Sequence, residues 1–242
     1  MKSVYSDVAY GYIRKRILNG EFPPGHALPT ELLAKQIGVS RAPVRDALRL
    51  LEADGLVRIR ARQGASVKEM NAKEFREVCD LRLALECYAA GLAAQNRTEA
   101  DLRDIRAPLE SMGRLTEQIL AEDKDVKWSN DLMREDVRFH LAIIAAARSD
   151  LMQKEILRLH LVNRVVALPS GEGQPVPARA ERNRRLRFVL SVHESIYQAI
   201  AAGDAAGART AMESHLRELM ENSLRALARQ ESGRIVNDLT MT

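Results

Sequence analysis

The clearest structural pattern of the chain is Ile37-Gly-Val-Ser-Arg-Ala-Pro-Val-Arg-Asp-Ala-Leu-Arg-Leu-Leu-Glu-Ala-Asp-Gly55. It predicts one helix, because Ser40 is a good N-cap residue and Pro43 is tolerated in a first helical turn. Gly38 suits a tight turn before the helix, and Gly55 suits its C-terminal end. Apolar residues recur at helical spacing and predict one buried face: Val44, Ala47, Leu48 and Leu51.

The other face of this helix is basic. It carries Arg41 and Arg45 four residues apart, with Arg49 one turn further. Such a helix can enter the major groove of DNA, where guanidinium groups bond guanine or phosphate, although a lone basic helix is more often a solvated surface. Here a second helix pattern, residues 31–37, lies just upstream across a glycine-containing turn. The pair predicts a helix-turn-helix that binds DNA.

A predicted hairpin follows the helix. Val57, Ile59 and Ala61 alternate with arginines that end at Arg62, a turn follows at Gln63 and Gly64, and alternation resumes over residues 65–68. This pattern indicates a hairpin with one buried face and one basic face. Beside a recognition helix, it predicts a wing placed to touch the DNA backbone or minor groove.

The N-terminal part resembles the GntR family of bacterial transcription regulators. The resemblance covers residues 5 to about 70 and rests on four segments: Ile17–Gly25 (ILNGEFPPG), Leu28–Glu31 (LPTE), Gly38–Leu48 (GVSRAPVRDAL) and Leu51–Val57 (LEADGLV). It implies a winged helix-turn-helix that binds double-stranded operator DNA. It also implies operator contacts by Ser40, Arg41, Ala42, Arg45 and the wing residue Gly64, and we place Arg49 and Arg62 on the same surface.

One segment departs from the family pattern. Members usually carry Ser-Glu-Arg-Glu-Leu-Ala where this chain has residues 30–34, Thr-Glu-Leu-Leu-Ala. The segment here is one residue shorter and lacks the arginine, which often contacts DNA in the family. We therefore expect a changed operator preference at this point.

Charge is distributed unevenly along the 242 residues, which carry a net charge of +4. Residues 1–68 contain 12 Lys and Arg against 6 Asp and Glu, whereas the remainder contains 25 against 27. The basic excess therefore lies in the predicted DNA-binding part, as expected for contact with phosphates.

Cysteine use and hydropathy indicate the cellular setting. On one helix the Cα atoms of Cys79 and Cys87 would be about 12 Å apart, too far for a disulfide, which fits a reducing compartment. The longest apolar run, residues 141–147, is too short for a membrane span, and no signal-peptide pattern opens the chain. We expect a cytoplasmic protein without a membrane partner.

From residue 72 onward the periodicity is helical throughout. Thr98, with Asp101 three residues on, predicts one capped helix start. The fold class is therefore mainly α, with a winged helix-turn-helix domain over 1–70, an all-helical domain over 71–232 and a tail over 233–242.

Apolar spacing predicts inward-facing residues in two helices: Val4, Val8, Tyr12 or Ile13, and Ile17 in the first, and Phe75, Val78, Leu81, Leu85, Tyr88 or Ala89, and Leu92 in the helix over 73–95.

Four residues form a candidate metal site. Asp136 and His140 are four apart and share one helix face. His193 lies ten residues before Gly203, where the helix breaks, and His215 lies twelve after it, so the two should be nearly level on antiparallel helices. Three imidazoles and one carboxylate suit zinc, nickel or manganese. The residues alone leave open a surface Asp–His pair and two ordinary packed histidines.

The helical part resembles the FCD ligand-binding domain of the FadR subfamily of GntR regulators, over residues 72–230. The matching segments are Asp136-x-x-x-His140-Leu-Ala, the block from His193 to Asp204, and Met212-Glu-Ser-His215-Leu. In metal-binding members these four positions ligate a divalent cation, so the resemblance implies the same here, with zinc as the first choice and nickel or manganese as alternatives.

The resemblance also implies an effector beside the metal. Four protein ligands leave two positions of a six-coordinate ion for a small carboxylate or sugar-acid effector. Arg82 matches a family position that commonly points to the cavity and would bind a carboxylate bidentately, unless it instead pairs with Glu86. Arg164, on an otherwise apolar helix, is a second candidate.

The sequence therefore predicts a homodimeric transcription regulator whose operator binding responds to an organic acid, and we expect no enzymatic activity. Two alternatives stay open: a metal-dependent hydrolase or oxygenase fused to a DNA-binding domain, and a regulator whose metal is purely structural. Against an enzyme, no carboxylate, cysteine or serine motif stands out as an added base or nucleophile.

Overall fold

The computed structural model describes residues 4–122, 126–166 and 179–240, with side chains for residues 4–121, 131–160, 162 and 179–225. Within these residues the elements in chain order are α1 (Val4–Leu18), α2 (Thr30–Ile37), α3 (Arg41–Ala53), β1 (Val57–Arg60), β2 (Gly64–Val67), α4 (Ala72–Asn96), α5 (Glu99–Glu122), α6 (Val126–Ala146), α7 (Asp150–Val166), α8 (Arg179–Ala202) and α9 (Ala205–Thr240). The predicted fold class, mainly α with a winged helix-turn-helix and a helical C-terminal part, is confirmed.

Helix α3 has the predicted buried face. Its four apolar stripe residues are at most 3% exposed and pack on α1, α2 and the wing. Gly38 adopts φ 78°, a left-handed conformation that closes α2 with an N–H donated to the carbonyl of Ala34. Ser40 occupies the N-cap position in extended conformation, but its side chain makes no capping hydrogen bond.

The inward face of α1 differs in part from the predicted one. Ile13 and Ile17 are fully buried, whereas Val4 and Val8 are 76% and 50% exposed. The buried positions before Ile13 are the small residues Ser6 and Ala9. Small side chains let α1 approach its neighbours closely, so the helix turns its larger valines outward.

The wing is a short antiparallel hairpin in which Val57 pairs with Val67 and Arg60 pairs with Gly64. Val57 and Val67 are buried, but Ile59 is 38% exposed and Ala61 is exposed, so the predicted buried face of β1 ends after its first residue. The hairpin is therefore buried at its base and exposed toward its tip.

The chain divides into two compact units, the first comprising Met1–Phe75 with Arg158–Gln174 and the second comprising Arg76–Leu157 with Pro175–Thr242. The second unit has a core of apolar residues from α4, α5, α6, α8 and α9, which includes Phe139, Ile143, Ile196, Ile200 and Met212. A smaller cluster joins Ala89 of α4 to Ile144 of α6 and Ile156 of α7.

The inward face of α4 differs in part from the predicted one, although Leu85 and Leu92 pack against the smaller cluster as expected. Phe75 and Ala89 are buried as expected, but Leu81 and Tyr88 are 44% and 51% exposed. The buried positions in phase with Phe75 are instead Cys79, Arg82, Glu86, Ala90 and Ala93. The inward face of α4 therefore includes a charged pair, which apolar periodicity does not detect.

The last helix is longer than predicted. We expected it to end near residue 230, but the backbone of α9 stays helical to Thr240. Gly233 lies inside it, where a glycine costs about 1 kcal/mol relative to alanine without breaking a helix. Among the described residues, no helix has the length and apolar character required to cross a membrane.

Candidate nucleic-acid interface and metal centre

The N-terminal end of α3 presents the residues predicted to contact DNA. Ser40, Arg41, Ala42, Arg45 and Arg49 are all exposed, on the side of the helix away from its buried stripe. The helix dipole adds positive potential at this end. The surface can therefore receive phosphates and present arginines to base edges.

Two of these arginines face carboxylates on the protein itself. Nη2 of Arg41 lies 2.7 Å from Oε1 of Glu31 at the start of α2, and Nη1 of Arg49 lies 3.9 Å from Oδ1 of Asp46. Both pairs are largely exposed. Glu31 thus belongs to the same surface, at the segment where the family arginine is missing.

The tip of the wing is also exposed and basic. Arg62 adopts φ 65° and Gly64 adopts φ 87°, which together reverse the chain between the strands. Both residues are exposed, as is Arg60. Arg58, predicted to share the basic face, instead contacts Glu74 at 3.0 Å and so lies toward the start of α4.

The four candidate metal ligands come together in the second unit. Asp136 and His140 lie on α6, His193 on α8 and His215 on α9, and their ligand atoms all lie within 4.8 Å of one another. The three histidines are at most 6% exposed, whereas the Asp136 side chain is 29% exposed. Ligand atoms on an ion at about 2.1 Å are at most about 4.2 Å apart, so small side-chain shifts suffice for coordination.

The ligand atoms face one another in pairs. Nε2 of His140 is 3.1 Å from Nε2 of His215, and Nε2 of His193 is 3.0 Å from Oδ1 of Asp136. The rings of His193 and His215, predicted to face each other across the break at Gly203, have centroids 4.4 Å apart. One carboxylate oxygen and three Nε2 atoms therefore form the donor set.

The contacts of His193 test whether a cation fits. Its Nδ1 lies 2.7 Å from the carbonyl oxygen of Val189, while its Nε2 faces the carboxylate of Asp136. Both partners only accept hydrogen bonds, and a neutral imidazole has one N–H to donate. A cation between Nε2 and Asp136 would use the nitrogen lone pair and leave the bond from Nδ1 intact. The donor set therefore fits a divalent cation.

The electrostatics of the cluster favour the protonation states of Asp136 and His215 that can bind a cation. Burial alone would raise the pKa of Asp136, but the hydrogen bond with His193 and the neighbouring histidines hold it well below its usual range. Burial, followed by repulsion from His193 and His140, lowers the pKa of His215 well below that of a free histidine. A carboxylate and a neutral imidazole are the forms that bind metal.

Arg82 and Glu86 lie next to this cluster. Nε of Arg82 donates to Oε1 of Glu86 at 2.7 Å, and Oε2 of Glu86 lies 2.7 Å from Nδ1 of His140. Both side chains are at most 3% exposed. Glu86 was not among the predicted site residues, and the sequence offered it only as an alternative partner for Arg82. The side chain of Arg164 lies outside the described residues.

Comparison with known proteins identifies the family. The model of the FCD domain matches residues 77–218, and the model of bacterial regulatory proteins of the gntR family matches residues 5–67.

The chain belongs to the GntR family.

Two relatives match over most of their length. LutR of Bacillus subtilis (strain 168), an HTH-type transcriptional regulator, is 32% identical over 219 residues, which cover 83% of this chain and 92% of that protein. RspR of Escherichia coli (strain K12), an HTH-type transcriptional repressor, is 27% identical over 92% of this chain and 90% of its own. The GntR-family chain is thus similar to whole regulators rather than to one of their domains.

Solved structures share the fold. E. coli McbR/YncC superposes with a TM-score of 0.70 at 22% identity, covering 95% of this chain and 99% of that one. A putative GntR regulator from Rhodococcus sp. RHA1 gives the same TM-score and identity over 93% and 99%. The family models and the relative LutR identify the GntR-family chain as a DNA-binding transcription regulator with an FCD domain.

Proposed function

We propose that this GntR-family regulator binds a divalent metal ion through Asp136, His140, His193 and His215, and that a small organic acid beside the metal modulates operator binding. The observation that carries this proposal is the convergence of the four ligand atoms on one another from three helices. Zinc is the ion we expect, with nickel or manganese as alternatives. We expect the protein to act in the cytoplasm and without enzymatic activity.

The proposed effector is a small carboxylate or sugar acid. When bound, the metal would offer its remaining coordination positions to the oxygens of such an acid. Arg82 is a candidate contact, but Glu86 holds its Nε, so a carboxylate would have to use the terminal Nη atoms. Arg164 stays a second candidate effector contact.

The proposed DNA complex contains a homodimer. Two winged domains, residues 1–70 of each chain, would read the halves of a near-palindrome, with α3 in the major groove. Arg41 and Arg45 would contact bases or phosphates, and Arg62 and Gly64 would contact the backbone or minor groove. Residues 71–232 would form the effector and dimerisation domain, followed by the tail 233–242.

The effector would act by binding two arrangements of the winged domains with different affinity. Linkage then requires that operator DNA change the affinity for the acid by the same factor. The relative RspR is named a repressor, and we expect repression that the acid relieves.

Metal analysis tests the site directly. Chelator-stripped protein is reloaded with zinc, nickel or manganese, and bound metal is measured for the wild type, for His193→Ala/His215→Ala and for His26→Ala, an exposed histidine of the first unit. We expect metal in the wild type and the His26 variant and little in the double variant. Full metal occupancy in the double variant would remove the site.

Effector screening separates the proposed regulator from its alternatives. Thermal shifts are measured against small carboxylates and sugar acids, with and without metal, and each acid that shifts the wild type is tested in operator-DNA anisotropy. We expect a metal-dependent shift and a changed operator affinity. Turnover of an acid would favour an enzyme, and metal binding without any response to acids would favour a structural ion.

A further inference from the structure

Glu86 is a buried acid that lies between the predicted metal ligand His140 and Arg82. Its side chain is 1% exposed, and each carboxylate oxygen has a separate partner. Oε1 accepts from Nε of Arg82, and Oε2 accepts from Nδ1 of His140, both at 2.7 Å. Burying a charged pair is unfavourable unless its hydrogen bonds are well placed. The two short hydrogen bonds of the Glu86 carboxylate meet this condition.

The contact with Glu86 selects the tautomer of His140. A carboxylate can only accept, so Nδ1 of His140 carries the hydrogen. In the neutral ring the lone pair then lies on Nε2, the atom that is 3.1 Å from Nε2 of His215 inside the cluster. His193 has the same tautomer, with its hydrogen on Nδ1, because the carbonyl of Val189 accepts from that atom.

We propose that Glu86 is a positioning residue for the metal centre: it fixes the Nε2 lone pair of His140 toward the cation, and Arg82 holds the Glu86 carboxylate in place. The inference rests on the proposed metal site and adds two residues of α4 to it. Carboxylates that accept from a ligating histidine typically change metal affinity by about 10- to 100-fold when removed.

The test needs variants that keep the core neutral. Removing Glu86 alone would leave the buried Arg82 guanidinium without this carboxylate, and the protein could then fail to fold. Two double variants avoid this, because neither buries a charge at these positions: Arg82→Met/Glu86→Gln and Arg82→Met/Glu86→Leu. The glutamine double variant retains an oxygen that can accept from Nδ1 of His140, whereas the leucine double variant has none.

We expect the glutamine double variant to bind zinc about 10- to 100-fold more tightly than the leucine double variant, measured by competition with a chromogenic chelator. Thermal unfolding of both metal-free variants checks that they fold. Glu221→Gln serves as the surface control, because Glu221 also pairs with an arginine four residues on but is 62% exposed, and it should bind zinc like the wild type.

The tautomer is measured separately, in the metal-free protein, from the imidazole ¹⁵N shifts, with His140→Asn used for assignment. We expect the Nδ1–H form of His140 in the wild type and the glutamine double variant, and a mixture of tautomers in the leucine double variant. Equal zinc affinity of the two double variants, or an Nε2–H tautomer in the wild type, would overturn the inference. A wild type that binds no metal would instead overturn the proposed function, while the tautomer measurement would still test the role of Glu86.

Discussion

The phenol of Tyr10 on α1 donates a hydrogen bond of 2.6 Å to Oδ2 of Asp54, the residue that follows α3. This bond ties the first helix to the end of the predicted recognition helix. Burial, with the hydrogen bond and charge of Asp54 adding to it, raises the pKa of Tyr10 to about 12. The neutral phenol is therefore the form that the folded protein favours.

Tyr10→Phe should lower the stability of the first unit by roughly 1 to 2 kcal/mol, because it removes a hydrogen bond to a charged group. A raised folded-state pKa means that the contribution is complete below about pH 10 and is lost as pH rises toward 12. Hydrogen exchange of α1 and α3 amides in the full chain, at neutral pH, measures the loss. Tyr88→Phe, at an exposed position of α4, should leave this exchange unchanged; equal protection in the Tyr10 variant would contradict the prediction.

In the second unit, the carboxylate of Asp101 joins Thr98, at the start of α5, to Arg148, which follows α6. Its carboxylate accepts from N and Oγ1 of Thr98 and from Arg148, which confirms the predicted capped start of α5. Burial raises its pKa, but the two bonds from Thr98 and the charge of Arg148 outweigh burial and lower it overall. The ionised form is therefore favoured in the folded protein.

Asp101→Asn should lower the stability by roughly 1 to 2 kcal/mol at neutral pH, because the amide loses the charge that faces Arg148. A lowered folded-state pKa means that this difference is present above about pH 4 and shrinks as pH falls further. Urea unfolding at pH 7 and pH 3 measures it. Asp104→Asn, exposed on the same helix, is the control, and an equal loss at both pH values would rule out the charge as the cause.

Sequence periodicity predicted α3 better than α1. In α3 only one set of apolar residues fits the helical spacing, so the buried face is unambiguous. In α1 two sets fit, and the structure buries the one that contains Ser6 and Ala9 rather than Val4 and Val8. Which set packs inward depends on the shape of the neighbouring helices, which the local sequence does not contain.

Short-range spacing suggested the four candidate metal ligands as two pairs, and the resemblance to the FCD domain joined the pairs into one candidate site. Asp136 and His140 are one helical turn apart, and His193 and His215 are spaced around a visible helix break. Glu86 was missed because its partner His140 is 54 residues away. Without that partner, a glutamate at helical spacing from an arginine predicts only a solvated pair.

The two cysteines should react slowly in the folded protein. Burial is the main cause that raises the pKa of Cys79 and of Cys87 to about 11. Since the thiolate is the nucleophile, alkylation at pH 7.5 should be at least about 100-fold slower than in protein unfolded by guanidinium, and the rate should increase up to about pH 11. Iodoacetamide labelling followed by mass spectrometry measures both rates. Equal rates in the folded and unfolded protein would show that the thiols are not protected.

Glu31 should limit the DNA affinity of this surface. Its carboxylate lies 2.7 Å from Nη2 of Arg41 and adds negative charge where DNA phosphates are expected. Because exposed ion pairs are weak, Glu31→Gln should tighten DNA binding by at most about fivefold, more at low salt than at high salt. Anisotropy with operator and random duplexes measures the change. Weaker binding in Glu31→Gln would instead show that Glu31 orients Arg41 for base contact.

Arg45→Ala should weaken operator binding by roughly 1 to 3 kcal/mol and relax sequence preference if the guanidinium reads a base, because bidentate contacts discriminate by that amount. If Arg45 instead contacts a phosphate, binding should weaken equally for operator and random DNA, and the salt dependence should fall by about one unit of slope. Arg225→Ala, on α9 and paired with Glu221, removes the same charge outside the first unit. It should alter neither the operator affinity nor its salt dependence. An operator footprint and affinity unchanged by Arg45→Ala would exclude this arginine from the interface and leave Arg41 and the wing to carry recognition.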